Sequence, residues 1–284
     1  MAPREGYVSV NGLRLHYLEW PGDGPPLVIQ HATGFLAWVY TPIAERLSSR
    51  YHVYAYDARG HGDSDKPADA YSWRDFASDL AAFLEALSLR DVLAVGHSLG
   101  AKSALVCAAQ RPDLFAKVVA MEPPIFPLPD AGPDLPDELT GLIEGARRRR
   151  QVWPSREEIF RSYRQRPAFA TWREDVLRLY VEHGTQGRED GQVELKCPPE
   201  AESLTFAGGA QSADEIWRLL PRISCPTLLL VGAETGPLYR ASAEEAARRI
   251  PGARLEAVPG TTHFLPMERP DAVARVIERF LVEG

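Results

Sequence analysis

Ser98 is the residue of this chain whose surroundings point most clearly to chemistry. It lies in Gly96-His97-Ser98-Leu99-Gly100, between an apolar run at residues 92–95 and an alanine-rich pattern that follows Gly100. The apolar run predicts a buried parallel strand, and the alanine-rich pattern predicts a helix. A strand-to-helix turn this tight forces its central residue into a strained conformation, and the glycines let the strand and helix approach closely. We therefore predict a nucleophile elbow that exposes the Ser98 hydroxyl at its apex.

A serine hydroxyl becomes a good nucleophile only when a base takes its proton and a third group orients that base. His263 is the candidate base, because it follows the last predicted strand and completes the chain order serine, acid, histidine. Two residues are candidates for the acid. Glu122 ends the strand after the elbow helix and precedes a rigid Pro-Pro pair, whereas Glu234 follows the next predicted strand. The sequence favours Glu122 and leaves Glu234 open.

An oxyanion hole requires two backbone N–H donors at the point where negative charge develops. We expect one from Leu99, at the start of the elbow helix, and the other from Thr33, in the loop after the predicted strand at residues 27–30. Loss of one such donor typically costs roughly 3–4 kcal/mol of transition-state stabilisation. Because the donor is main-chain, replacing the Thr33 side chain should cost less than that.

Strands alternate with helices through most of the chain, which predicts an α/β fold with a doubly wound, mostly parallel sheet of eight strands. Asn11-Gly12, between two alternating runs, is a strong hairpin signal and predicts an antiparallel edge. The predicted strands are residues 7–10, 13–20, 27–30, 53–56, 92–95, 117–121, 226–232 and 254–258.

The alternation stops at residues 124–220, which are punctuated by proline and read as helical, with 193–195 as the one candidate strand. We therefore assign 1–123 and 221–284 to the core and 124–220 to a helical cap, or lid. It would cover the carboxyl ends of the strands, where ligands bind in such sheets. Most aromatic residues of the cap should form its own core, and a few should line an apolar pocket. They are Phe126, Trp153, Phe160, Tyr163, Trp172, Tyr180, Phe206 and Trp217.

Three local patterns concern helices. Ser72 should open the helix that runs to about residue 87, and Ser242 followed by Glu245 reads as a capping box at the start of another. Pro270 should begin an amphipathic C-terminal helix. The run Arg147–Arg150 reads as a solvated helix face, offset by acidic neighbours.

Composition and charge narrow the class of partner. The chain has 284 residues, 45% of them hydrophobic, and a net charge of −7, which gives no indication of nucleic acid or an anionic membrane surface as a partner. Its three cysteines have no metal-ligand spacing, no apolar run reaches membrane length, and the N-terminus has no apolar signal segment. We expect a cytoplasmic enzyme with reduced thiols. The sequence leaves open whether it is a monomer or a homodimer.

His31, His61 and His97 stand beside glycines in loops, and we expect structural or pocket-lining roles for them rather than metal binding. Lys102 lacks the spacing of a Ser-x-x-Lys pair and should face outward on its helix. These residues therefore give no indication of a metal or cofactor.

The sequence resembles the α/β-hydrolase superfamily across essentially its whole length. The resemblance implies a triad of Ser98, an acid and His263, an oxyanion hole at Thr33 and Leu99, and no cofactor. The segments that carry it are Gly96-His97-Ser98-Leu99-Gly100, Asp57-Ala58-Arg59-Gly60-His61-Gly62-Asp63-Ser64 and His263-Phe264-Leu265-Pro266-Met267-Glu268-Arg269-Pro270.

Two departures from the family pattern bear on the site. The usual His-Gly loop reads His31-Ala32-Thr33-Gly34-Phe35, which alters the oxyanion turn in detail. The aspartate usually found after the strand at residues 228–231 is missing. Glu122 matches an alternative acid position that some members use, haloalkane dehalogenases among them. A serine nucleophile nevertheless excludes dehalogenase and epoxide-hydrolase chemistry, which depends on an aspartate there.

The predicted function is that of a serine esterase that cleaves small, fairly apolar carboxylic esters through an acyl-enzyme. Lactonase, carbon–carbon bond hydrolase and cofactor-free perhydrolase activities use the same machinery and remain open. From another class, the chain could be a ligand-binding receptor on a hydrolase scaffold, since fold alone does not fix function. In every case the expected partner is a small molecule.

Overall fold

An eight-stranded sheet forms the centre of the computed structural model, which describes residues 2–129 and 135–283. Its strand order is β1-β2-β4-β3-β5-β6-β10-β11. The pairs β1–β2 and β2–β4 are antiparallel and all the others are parallel, as the alternating pattern predicted. The strands of this sheet are β1 (Arg4–Val10), β2 (Leu13–Trp20), β3 (Pro26–Gln30), β4 (His52–Tyr56), β5 (Val92–His97), β6 (Phe115–Met121), β10 (Thr227–Gly232) and β11 (Arg254–Val258).

Helices cover both faces of the sheet. Helices α1 (Thr41–Leu47) and α12 (Pro270–Val282) contribute to the apolar core on one face, and α2 (Trp73–Ala86), α3 (Leu99–Gln110) and α10 (Pro237–Arg249) to the core on the other. Among the described residues, no helix combines the length and the apolar character needed to cross a membrane. The remaining α-helices are α4 (Asp137–Arg147), α5 (Arg156–Arg164), α6 (Pro167–Ala170), α7 (Glu174–His183), α8 (Pro199–Gly209), α9 (Ala213–Leu219) and α11 (Leu265–Glu268), and short 3-10 turns lie at Ala37–Tyr40, Pro112–Leu114 and Leu220–Arg222.

Local signals that involve chain reversal and capping are largely confirmed. Asn11 and Gly12 both have positive φ, of 50° and 77°, as a two-residue hairpin turn requires. Helix α2 begins after Ser72, which forms a reciprocal capping box with Asp75. The capping box predicted at Ser242 is wrong: α10 already begins at Pro237, and Ser242 is buried within it. Its Oγ donates to Pro123 O (2.7 Å) and accepts from Ile125 N–H (3.1 Å).

The chain between β6 and β10, hereafter the insertion, contains helices α4 to α9 and a small sheet of its own. That sheet is antiparallel in the order β7-β9-β8. The predicted strand at 193–195 is confirmed as β9 (Val193–Leu195), whereas β7 (Val152–Trp153) and β8 (Thr185–Gly187) were not predicted. Strand β7 has too few residues for an alternating pattern to show, and β8 contains no apolar residue.

The insertion also holds a buried ion pair that corrects the interpretation of the arginine run. Arg149 donates to Glu202 at 2.5 Å, and the side chain of each is only 12% exposed. Arg149 also donates to the hydroxyls of Tyr163 and Tyr180. The prediction of a solvated face is therefore wrong for this arginine. It holds for Arg148, whose side chain is 74% exposed.

Candidate active site

Ser98 lies at the sharp turn between β5 and α3. Its φ of 52° and ψ of −110° confirm the strained backbone that was predicted for the elbow. A Cβ at Gly96 would lie 2.2 Å from the carbonyl oxygen of Gly100, and one at Gly100 would lie 2.1 Å from that of Gln30. Both contacts are with backbone atoms that cannot give way. Glycine is therefore required on both sides of Ser98 for the strand and helix to pack this closely.

Glu122 lies directly after β6, with a positive φ of 54° at a non-glycine residue. Its carboxylate is fully buried. One oxygen accepts from Gly232 N–H (2.7 Å), and the other accepts from the Thr235 hydroxyl (2.7 Å) and lies 3.2 Å from His263 Nδ1. A strained conformation held by three such bonds is the kind of arrangement that functional sites maintain. The structure thus brings Glu122 and His263 together.

Glu234, the alternative acid, lies elsewhere. It is exposed, and its backbone N–H donates to Thr261 O at 2.8 Å. Its neighbour Thr235, rather than Glu234 itself, reaches the buried site, through the hydroxyl bond to Glu122. Between the two candidates, only Glu122 has a hydrogen bond to His263 among the described residues.

The bond to Glu122 also fixes the proton arrangement of His263. An ionised carboxylate can only accept, so Nδ1 of the neutral ring carries the hydrogen and Nε2 is left as an acceptor. Among the described residues, no hydrogen bond joins Ser98 Oγ to His263. The ring of Tyr239 packs against that of His263, with 4.1 Å between the ring centroids, and Tyr239 lines the same cavity as Ser98. Catalytic hydrogen bonds are often long before substrate binds.

A buried chain of hydrogen bonds runs from the oxyanion loop to the backbone of His263. Ala32 N–H donates to the Tyr40 hydroxyl (3.2 Å), which lies 2.7 Å from His97 Nδ1, and His97 Nε2 lies 2.8 Å from His263 O. A carbonyl oxygen can only accept, so His97 donates through Nε2 and accepts from Tyr40 through Nδ1. Burial, with the nearby His263, holds the pKa of His97 well below its usual range, and the ring is neutral.

The two predicted oxyanion donors lie around one cavity with Ser98. Thr33 and Leu99 both line it. Leu99 is the first residue of α3, so its N–H has no acceptor within the helix. The turn after Thr33 is made at Gly34, which has φ of 79°. The apolar walls of the cavity come mainly from the insertion.

Lys102 contradicts the expectation that it faces outward. Every residue of α3 from Leu99 to Ala109 is buried, Lys102 with 4% of its surface exposed, so this part of the helix has no outward face. Its Nζ donates to Gly209 O (2.7 Å) and Pro124 O (3.1 Å), and it lines the cavity that holds Ser98. Burial lowers the pKa of Lys102 to about 7. The alanine-rich sequence of α3, which has no polar face, was the signal that could have indicated this burial, because a helix that is apolar on all sides is buried on all sides.

Comparisons with known proteins identify the family of this chain. The sequence profile of the Alpha/beta hydrolase family matches residues 27–276. The chain belongs to the α/β hydrolase family. It is 27% identical over 280 residues to the 2-(acetamidomethylene)succinate hydrolase of Mesorhizobium japonicum. The matched region covers 96% of this chain and 94% of that protein. It is 28% identical over 280 residues to the N-formylmaleamate deformylase of Pseudomonas putida, covering 97% and 96%. The crystal structure of E-2-(acetamidomethylene)succinate hydrolase superposes with a TM-score of 0.85 at 26% identity, over 98% of this chain and 99% of that one.

Within residues 2–129 and 135–283 of this α/β hydrolase, one group of side chains approaches metal-binding geometry: His16, Asp57 and Asp63, whose ligand atoms lie within 4.8 Å of one another. Each already has a structural partner. His16 Nδ1 and Asp57 are 2.8 Å apart, Asp57 also accepts from Ala37 N–H, and Asp63 pairs with Lys196 at 2.6 Å. The three residues therefore link β2, the loop after β4 and the insertion.

His31 and His61 have structural contacts too. His31 Nε2 accepts from Ala58 N–H (2.9 Å), and its Nδ1 lies 2.7 Å from Ala32 O. His61 Nδ1 lies 2.8 Å from Arg59 O, and burial lowers the pKa of this ring to about 3. Both rings are thus neutral, and they support the loops around the site.

Proposed function

We propose that this α/β hydrolase is a serine hydrolase that cleaves small carboxylic esters through an acyl-enzyme. The observation that carries the proposal is the 3.2 Å contact between His263 Nδ1 and the buried Glu122 carboxylate, next to a serine held on a strained elbow. An acid–histidine pair has the orienting geometry that serine activation needs. Thr33 and Leu99 supply the two backbone donors on the wall of the same cavity.

In the proposed reaction, Ser98 Oγ attacks the ester carbonyl carbon while its proton passes to His263 Nε2. The Glu122 carboxylate holds the ring in this tautomer and stabilises the imidazolium that forms. The amides of Thr33 and Leu99 donate to the oxyanion. His263 then gives the proton to the leaving alkoxide, and the acyl group remains on Ser98. A water molecule, deprotonated by the same ring, hydrolyses the acyl-enzyme and releases the acid.

The walls of the cavity support a small, fairly apolar substrate, because apolar side chains surround the few polar groups beside Ser98. Phe126, Leu139 and Ala210 are buried together at its insertion side, with Phe206 packed against them. We infer that the insertion acts as a cap that shapes the acyl or alcohol pocket.

The experiment that tests the proposal is labelling with a fluorophosphonate probe, followed by hydrolysis of 4-nitrophenyl esters of increasing acyl length. We expect labelling of Ser98 and the fastest turnover with short chains. Ser98→Ala should remove both labelling and nearly all turnover while the protein stays folded by circular dichroism. An unlabelled wild-type protein would favour the receptor alternative, and substantial turnover by the Ser98→Ala variant would refute Ser98 as the nucleophile.

A second candidate, hydrolysis of an acyl–nitrogen bond, is favoured by the names of the two relatives, one of which acts on an acetamido compound and the other on an N-formyl compound. Lactone, carbon–carbon and perhydrolytic reactions would use the same residues. Matched ester and amide substrates with one acyl group decide between the first two: a kcat/KM for the amide equal to or above that for the ester favours the second candidate.

A further inference from the structure

Lys102 is a buried cationic side chain that the proposed reaction does not use. Its Nζ has two hydrogen-bond acceptors, both of them backbone carbonyls, and no carboxylate of the described residues forms an ion pair with it. Burying an ammonium without a counter-charge is costly. The chain nevertheless holds it in the wall of the cavity that also contains Ser98, Thr33 and Leu99.

The surroundings of Lys102 are shaped to hold an ammonium there. Gly209 ends α8, so its carbonyl lies at the negative end of that helix, which favours a cation. A Cβ at Gly209 would lie 3.0 Å from Nζ, so the residue with no side chain leaves room for the ammonium. An ammonium has three N–H donors, and the two carbonyls take two of them. The third donor has no acceptor among the described residues.

We propose that Lys102 binds a carboxylate of the substrate, and that this hydrolase acts on small esters that carry a second, free carboxylate. This inference rests on the proposed function. The anion supplies a counter-charge that the described residues do not provide, and it fixes which end of the substrate faces Ser98. A charge-assisted bond of this kind typically contributes roughly a tenfold or greater effect on binding.

The protonation of Lys102 fits this role. The pKa of about 7 has burial as its cause. The titratable groups around the cavity on other elements are Tyr239 on α10, which lines it, the His263–Glu122 pair beside Tyr239, and Glu138 on α4, whose charge also acts on Tyr239. Burial raises the pKa of Tyr239 to about 12, so it is neutral at pH 8. Binding of a carboxylate at pH 8 should therefore raise the pKa of Lys102 and take up a proton.

The kinetic test compares two substrates of similar length, 4-nitrophenyl hydrogen glutarate and neutral 4-nitrophenyl hexanoate. The wild-type enzyme should show the higher kcat/KM for the glutarate. Lys102→Gln, whose amide keeps a polar N–H group but carries no charge, should lower the ratio of the two kcat/KM values by about tenfold or more. Lys117→Gln is the matched control, since Lys117 also donates to backbone carbonyls, among them those of Phe280 and Leu281, but lies outside the cavity. An unchanged ratio in folded Lys102→Gln would overturn the proposal.

A binding measurement separates this inference from the proposed function. Calorimetry of the Ser98→Ala variant with monomethyl glutarate and with dimethyl glutarate requires no turnover. We expect tighter binding of the monoester, with proton uptake at pH 8 revealed by buffers of different ionisation enthalpy. Equal affinities, or no proton uptake, would overturn the carboxylate site even if Ser98 proves to be the nucleophile. Conversely, failure of fluorophosphonate to label Ser98 would refute the proposed function and leave the binding result to decide the carboxylate site.

Discussion

The ring of His97, next to Ser98 in the chain, donates through Nε2 to the backbone carbonyl of His263 at 2.8 Å. His97, the last residue of β5, thus anchors the loop that carries His263. Through Tyr40, the same ring is connected to the amide of Ala32 in the oxyanion loop. The positions of the base and of the oxyanion loop therefore depend on one chain of buried hydrogen bonds.

Tyr40→Phe should lower kcat by roughly 2- to 12-fold, the effect of one net hydrogen bond, because His97 loses the donor that fixes its tautomer. KM should change less than kcat, since the Tyr40 hydroxyl does not line the cavity. Steady-state kinetics with the best 4-nitrophenyl ester measures both. The control is Tyr56→Phe, because the Tyr56 hydroxyl is buried without a hydrogen-bond partner among the described residues. Equal losses in the two variants would indicate a packing effect.

Glu122→Gln should lower kcat by at least about 100-fold, because an amide cannot hold His263 in the tautomer that accepts from Ser98. Glu234→Gln should stay within a few fold of the wild type, since Glu234 is exposed. The comparison uses kcat at a pH where the wild-type rate is constant, with thermal melting to confirm folding. The reverse order of the two variants would make Glu234 the acid.

Asp57→Asn should lower the free energy of unfolding by about 3 kcal/mol, the typical effect of breaking a buried pair. Burial alone would raise the pKa of Asp57, but the hydrogen bond and charge of His16 lower it to about 2, and Asp57 in turn raises the pKa of His16. Asp57, whose pKa is lowered, stabilises the folded protein above about pH 4, and this contribution is lost as the pH falls toward 2. His16, whose pKa is raised, stabilises the folded protein below about pH 6.5, and this contribution is lost as the pH rises through the pKa of His16 in the folded state.

The difference in unfolding free energy between wild type and Asp57→Asn should therefore be largest between about pH 4 and pH 6.5. Urea denaturation at a series of pH values measures it. Asp69→Asn, at an exposed position, is the control and should change the free energy of unfolding by less than about 0.5 kcal/mol. A difference that is independent of pH would contradict the linkage to His16.

Arg149→Met should destabilise the protein by about 3–5 kcal/mol, because it leaves Glu202 largely buried without its partner. Arg148→Met removes the neighbouring arginine, which forms only an exposed pair with Glu144, and should cost at most about 1 kcal/mol. Chemical denaturation of both variants gives the comparison. Similar losses would mean that the Arg149 pair is no stronger than a surface one.

Much of the fold was predictable because its signals are local. The strands of the large sheet are apolar runs bounded by turn residues, and the elbow, the hairpin and the Ser72 cap each depend on a few neighbouring residues. Glu122 was favoured over Glu234 on a local feature too, the rigid Pro-Pro pair that follows it.

The features that sequence reasoning missed depend on distant partners. Arg149 is buried by Glu202, far along the chain, and Ser242 is buried by the segment that follows Glu122. Lys102 faces inward because α8 of the insertion packs over the start of α3. No pattern confined to α3 reveals which carbonyls will meet its ammonium.

The bond from Lys102 to Gly209 joins a core helix to a helix of the insertion across the cavity. Any motion that separates α8 from α3 to admit a molecule must break it, and the ammonium then has a second N–H to offer the incoming ligand. Entry and recognition are thereby coupled at Lys102 Nζ. An anionic ligand replaces the lost bond to Gly209, whereas an uncharged ligand of the same size does not.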